Sequence, residues 1–111
     1  MTTPERIQLR RTKGWRKPAG AIVVARPSKW GNPYRIDDYR TGHPDASDRE
    51  LRRLAVEDFR RLAAGRAGEH RPYPWEAIGE LAGRDLCCWC PADQPCHADV
   101  LLQLANPAER N

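Results

Sequence analysis

Apolar and polar positions alternate from Arg6 to Arg11, where Gln8 separates Ile7 from Leu9, and the apolar positions then run together as Ala21-Ile22-Val23-Val24-Ala25. Alternation marks a strand with one face exposed, and a short unbroken apolar run marks a strand buried on both sides, so these segments predict two strands. Lys13 to Pro18 joins them as a turn or a longer loop. From Ser47 the period changes. Leu51, Leu54, Ala55, Phe59 and Leu62 fall on one face at helical spacing up to Gly65, and Ser47 with Glu50 forms a capping-box signature. Arg49, Arg52, Arg53, Arg60 and Arg61 fill the rest of that circumference beside Glu50, Glu57 and Asp58, which reads first as a solvated face. After a polar, proline-rich stretch from Ala67 to Pro74, Trp75–Ala82 predicts a short helix stopped by Gly83, and Asp85–Cys90 predicts a strand. Cys96–Ala105 predicts a last helix with Ala98, Leu101, Leu102 and Ala105 on its apolar face, ended at Pro107.

This order, β-β-α-α-β-α, predicts a single compact α/β domain over residues 1–111, a small sheet flanked by helices, with flexible ends at 1–5 and 107–111. A chain of 111 residues suffices for one core without disulfides, but 10 prolines, 8 glycines and 31% charged residues make that core small and the connections long. No apolar stretch reaches membrane-spanning length, and Met1–Leu9 lacks the hydrophobic region of a secretory signal, so a soluble, cytoplasmic protein with no membrane partner is expected. In that reducing setting cysteines serve as metal ligands, catalytic groups or buried thiols rather than as disulfides.

A net charge of +4 is modest, yet Arg6, Arg10, Arg11, Lys13, Arg16, Lys17, Arg26, Lys29 and Arg35 crowd the first third of the chain, with Trp15, Trp30 and Tyr34 among them. Cations that hold phosphate beside aromatic rings that stack on bases suit a nucleotide or nucleic-acid partner, and a solvated basic surface is the competing reading. Two prolines and a glycine shape Arg26-Pro27-Ser28-Lys29-Trp30-Gly31-Asn32-Pro33-Tyr34 into a loop. Loops after the strands of open α/β sheets commonly bind ligands, which draws attention to Ser28, Lys29 and Asn32; a plain turn with Trp30 as a core anchor is the alternative.

All four cysteines fall in Leu86-Cys87-Cys88-Trp89-Cys90-Pro91-Ala92-Asp93-Gln94-Pro95-Cys96-His97. On a strand Leu86, Cys88 and Cys90 share one face while Cys87 and Trp89 share the other, so Cys88 or Cys90, Cys96 and His97 are the set able to meet. Three readings follow. Cys88, Cys90, Cys96 and His97 hold a zinc ion, although an adjacent Cys-His pair is an unusual ligand spacing. Alternatively, Cys96 is a thiolate at a helix start, with His97 as acid or base, Cys90 as a further catalytic group, and Asp93 or Asp99 as an orienting carboxylate. Or the thiols are buried as small hydrophobes and Trp89 is a packing residue. His43 and His70 lie in polar loops, His70 near enough to Tyr73 to line a site.

The pairing of Arg26-x-Ser28-Lys29-Trp30-Gly31-Asn32-Pro33-Tyr34 with Cys88-Trp89-Cys90-x5-Cys96-His97-Ala98-Asp99-Val100-Leu101 resembles a family of short bacterial and phage proteins known as domain of unknown function 4326. The resemblance spans nearly the whole chain and implies a shared fold and site but no activity. The strand, cysteine, Cys-His and helix arrangement is also similar to another uncharacterised α/β family that opens the helix with Cys-His-Arg; Ala98 stands here in place of that arginine, which removes the obvious anion partner. The combined expectation is one pocket between the Arg26–Tyr34 loop and the Cys88–His97 segment. Arg26 and Lys29 hold an anion there, Trp30 or Tyr34 walls the site, and Asn32 reads polar edges of a nucleotide-like ligand on which transfer or hydrolysis takes place. The alternative is a non-catalytic nucleic-acid-binding module, with or without zinc.

Overall fold

In the computed structural model, which describes residues 3–65 and 72–107, the most buried strand takes the middle of the sheet. Three short parallel strands, β1 (Arg6–Gln8), β2 (Ile22–Val23) and β3 (Leu86–Cys88), are ordered β1-β3-β2, with Arg6 and Ile22 both opposite Leu86. Only β3 is buried along its whole length. The run around Ile22 and Val23, expected to be covered on both sides, is instead a half-buried edge strand of two residues. Gly20, in a left-handed conformation at φ +82°, and Pro27 bracket that run and keep its ladder short.

The connection from β2 to β3 carries the helices that cover the sheet. The first is α1 (Asp37–Arg40), a single turn too short to show periodicity and absent from the sequence expectation; it opens on two aspartates and pairs Arg40 Nε with Asp37 at 2.7 Å. Next comes α2 (Asp48–Ala63), whose Ser47 Oγ accepts the Glu50 amide at 3.2 Å as the capping signature requires, while the Glu50 carboxylate pairs with Arg53. Its face of Leu51, Ala55, Phe59 and Leu62 is buried. The short helix after Pro74 is a 3-10 helix, Trp75–Leu81, and Gly83 follows it at φ +72°, a left-handed conformation that favours glycine. Finally α3 (His97–Ala105) returns over the sheet with Cys96 as its N-cap.

Strand alternation divides the cysteines. Cys88 and Cys96 join the main core with Phe59, Leu81, Leu86 and Leu101, whereas Cys87 faces a smaller cluster with Leu9, Ala21 and Ala25. Phe59 anchors the main core, its ring 5.2 Å from Tyr73 and 5.6 Å from Trp75. Of the ends expected to be flexible, residues 1–2 and 108–111 lie outside the described residues, while the Glu5 amide donates to Asp85 Oδ1 at 2.8 Å. His70 also lies outside them. Among the described residues no helix is long and apolar enough to cross a membrane.

Candidate functional site: a cysteine-lined cavity

Three elements converge on three sulfurs. Cys88 ends β3, Cys90 sits in the turn that follows, and Cys96 caps α3; their Sγ atoms all lie within 4.8 Å of one another, with Cys88 and Cys96 3.2 Å apart. All the cysteines are free thiols, and Cys90 is the half-buried one. The close approach redistributes their protons. Hydrogen bonds from Cys88 and Cys96 favour the Cys90 thiolate and hold it well below the ordinary thiol range, with the Arg52 charge adding to the effect. The same contacts, together with burial, push Cys88 far up. Cys96 rises to about 11: its hydrogen bond with Cys88 lowers it, but Cys90 and burial outweigh that effect.

The trio can hold a metal ion. Tetrahedral zinc with Zn–S bonds near 2.3 Å keeps its sulfurs about 3.8 Å apart. The observed separations of 3.2 Å and up to 4.8 Å bracket that value, so shifts of about an ångström would close the set on an ion. His97, the fourth member of the expected set, stands outside this group. Its Nε2 lies 2.9 Å from the Trp30 carbonyl and 3.0 Å from that of Val24, both acceptors, so Nε2 carries the proton and donates to them. Burial lowers its pKa, leaving a neutral ring whose Nδ1 faces Cys96 Sγ at 3.6 Å. The ring stands edge-on to Phe59 at 5.4 Å, so His97 ties the loops after β2 to the core.

The sulfurs border a cavity of about 290 Å³, at the small end of ligand pockets. Both segments singled out in the sequence reach it: Arg26, Asn32 and Tyr34 from one, Cys88, Trp89, Cys90, Pro95, Cys96 and His97 from the other. Its wall includes two cations, Arg26 and Arg52, and no Asp or Glu among the described residues. Arg26 Nη1 donates to the Asn32 carbonyl at 2.7 Å, and Arg52 donates to Gln94 Oε1. Gly31 permits the first contact, since a Cβ there would come within 2.5 Å of Arg26 Cγ.

Ser28, Lys29 and Trp30 do not line the cavity. Ser28 Oγ accepts the Trp30 amide at 3.3 Å, Lys29 pairs with Glu80 at 3.2 Å on the surface, and Trp30 is buried in the core as a plain turn would have it. Asn32 is also spent internally, accepting the Tyr34 amide at 2.9 Å and donating to the Ala55 carbonyl at 3.4 Å. Asp93 pairs loosely with Arg49 at 3.8 Å. Trp89, a packing residue in the buried-thiol reading, is 45% exposed, with the Arg11 guanidinium 4.6 Å over its ring.

Two residues of the site are not evident from the sequence pattern. Arg52 counts by charge toward a solvated face of α2, yet Arg52, Ala55 and Val56 are spaced i, i+3 and i+4 and all three line the cavity, a signal the helix period contains. Arg6 depends on register. Its pairing opposite Leu86 places it on the Cys88 face of the sheet. Its Nη2 donates to the carbonyls of Ala92 (2.7 Å) and Pro91 (3.2 Å), and Nη1 lies 3.4 Å from Asp99 Oδ2. Burial lowers the Arg6 pKa, but Asp99, Cys96 and Cys88 outweigh it and the net direction is upward.

The fold and site together define a small α/β domain with a thiol trio on the wall of a cationic cavity. The family model described as domain of unknown function (DUF4326) matches residues 7–107, and the chain belongs to that family. Neither the curated proteins nor the solved structures give a match.

Proposed function

We propose that this protein binds a small, anionic, nucleotide-like ligand in the cavity, next to a zinc ion held by Cys88, Cys90 and Cys96. One observation carries the reading: three thiols gather on the wall of a cavity whose charged lining residues, Arg26 and Arg52, are both cations. Guanidinium groups match phosphate and carboxylate geometry, and a wall without carboxylates does not repel an anion. Soft thiolates select zinc among common divalent ions. With three protein ligands, zinc keeps a position for water or ligand, and when bound it would supply a Lewis acid there.

The proposal is one of binding. It includes no transfer or hydrolysis step, because His97 commits its Nε2 proton to two carbonyls and no carboxylate lines the cavity among the described residues. A second reading, favoured by the exposed Trp89 under Arg11, is that the nucleotide belongs to a single strand whose next base stacks on that ring. Calorimetric titration with nucleoside monophosphates and short oligonucleotides tests both. Zinc-loaded protein is expected to bind, and Arg52→Gln to weaken binding about 10-fold, the loss of one charge-assisted hydrogen bond. A tighter oligonucleotide whose affinity falls steeply with salt would favour the second reading. No binding of either ligand by zinc-loaded protein contradicts both.

A further inference from the structure

Arg6 poses an electrostatic problem that the three thiols answer. Its side chain is only 11% exposed, and its Nη1 is the one buried side-chain nitrogen or oxygen without a hydrogen-bond partner among the described residues. A guanidinium taken out of water is costly unless negative charge meets it. Asp99 meets it in part, at 3.4 Å, but that carboxylate is 46% exposed and water weakens the pair. Arg6 also shares the Cys88 face of the sheet, where the thiols of Cys96 and Cys88 interact electrostatically with it. Negative charge on those sulfurs would supply the rest. Three thiolates around a divalent ion carry a net charge of −1, which one arginine neutralises.

We infer that Arg6 is the counter-ion and loop clamp of a metal centre formed by Cys88, Cys90 and Cys96. The inference rests on the zinc reading above and deepens it. Arg6 is a positioning residue with two arms. Nη2 fixes the Pro91 and Ala92 carbonyls, in the loop that sets Cys90 opposite Cys96. Nη1 has no hydrogen-bond partner among the described residues, and on the Cys88 face of the sheet the guanidinium charge favours thiolate electron density. Partners that orient metal ligands in this way typically contribute about 10–100-fold to metal affinity.

The test uses the full chain with cobalt(II) as a spectroscopic probe and zinc in competition with a chromophoric chelator. Arg6→Gln is expected to bind zinc about 10–100-fold more weakly and to shift the sulfur-to-cobalt charge-transfer band to lower energy, because the sulfurs lose their cation. Arg6→Lys keeps the charge and loses the fork, so it is expected to fall between the native protein and Arg6→Gln, and it stands in if Arg6→Gln does not fold. A band at native energy in Arg6→Gln, or an Arg6→Lys protein no better than Arg6→Gln, overturns the counter-ion role while leaving the zinc reading intact. Failure of the native protein to take up cobalt or zinc overturns both.

Discussion

Replacing Cys90 with serine is expected to strip the protein of zinc and leave it folded, whereas replacing Cys87 with alanine leaves zinc in place. The contrast follows from strand geometry. Cys87 and Cys88 are neighbours in sequence but belong to opposite faces of β3, so Cys87 packs against Leu9, Ala21 and Ala25, away from the other sulfurs. Cys90 lies beyond the strand, half-buried and bordering the cavity, within 4.8 Å of both Cys88 and Cys96. A serine hydroxyl is a poor substitute for a soft thiolate ligand, and losing a ligand costs more than losing a group that merely orients one, so zinc affinity should fall by more than about 100-fold. Ligand binding should fall with it. Chelator competition on both variants, with circular dichroism to confirm folding, checks the pair. Equal zinc affinity in Cys90→Ser and native protein would show that the trio does not hold the ion.

His97→Ala is expected to do the reverse, costing stability and sparing the metal. The imidazole bridges two chain segments by donating Nε2–H to the Val24 and Trp30 carbonyls. Trp30 keeps a second donor, the Tyr73 hydroxyl at 2.7 Å, so Val24 suffers the larger loss. An unsatisfied buried group costs about 1–3 kcal/mol. The hole left beside Phe59 adds to that, giving a total of about 2–4 kcal/mol. Urea denaturation reads this directly. Folded His97→Ala protein should still bind zinc at native stoichiometry. Unchanged stability together with lost zinc would restore the four-ligand set of Cys88, Cys90, Cys96 and His97 and remove His97 from its bridging role.

These two variants also show what is legible in the sequence. Alternation on a strand is a local rule that separates Cys87 from Cys88, whereas no local rule aims the single proton of a neutral imidazole. The direction of the His97 ring depends on where the carbonyls of Val24 and Trp30 end up, and they belong to a loop 67 to 73 residues away in the chain. The α2 face from Leu51 to Leu62 and the Ser47 cap are legible because helical periodicity and capping are local. The edge position of β2 is not, since strand order is set by long-range pairing, which puts the fully buried Leu86-Cys87-Cys88 between β1 and the half-buried Ile22-Val23. Tyr34 and Arg26 reach the cavity through their loop, while Trp30 in the same loop turns inward to the aromatic cluster around Phe59 and Tyr73. Arg6, on an edge strand in a crowd of cations, carries no local mark. Its role emerges only when parallel pairing with β3 brings it beside sulfurs that are distant in sequence.

The most direct test is the metal content of untagged protein purified without added metal, measured by elemental analysis together with a count of thiols reactive in the native state. The account predicts a single zinc per chain, with Cys90 protected from thiol reagents until a chelator removes the ion. Metal-free protein that takes up no zinc on titration, and whose Cys90 reacts rapidly throughout, would contradict it.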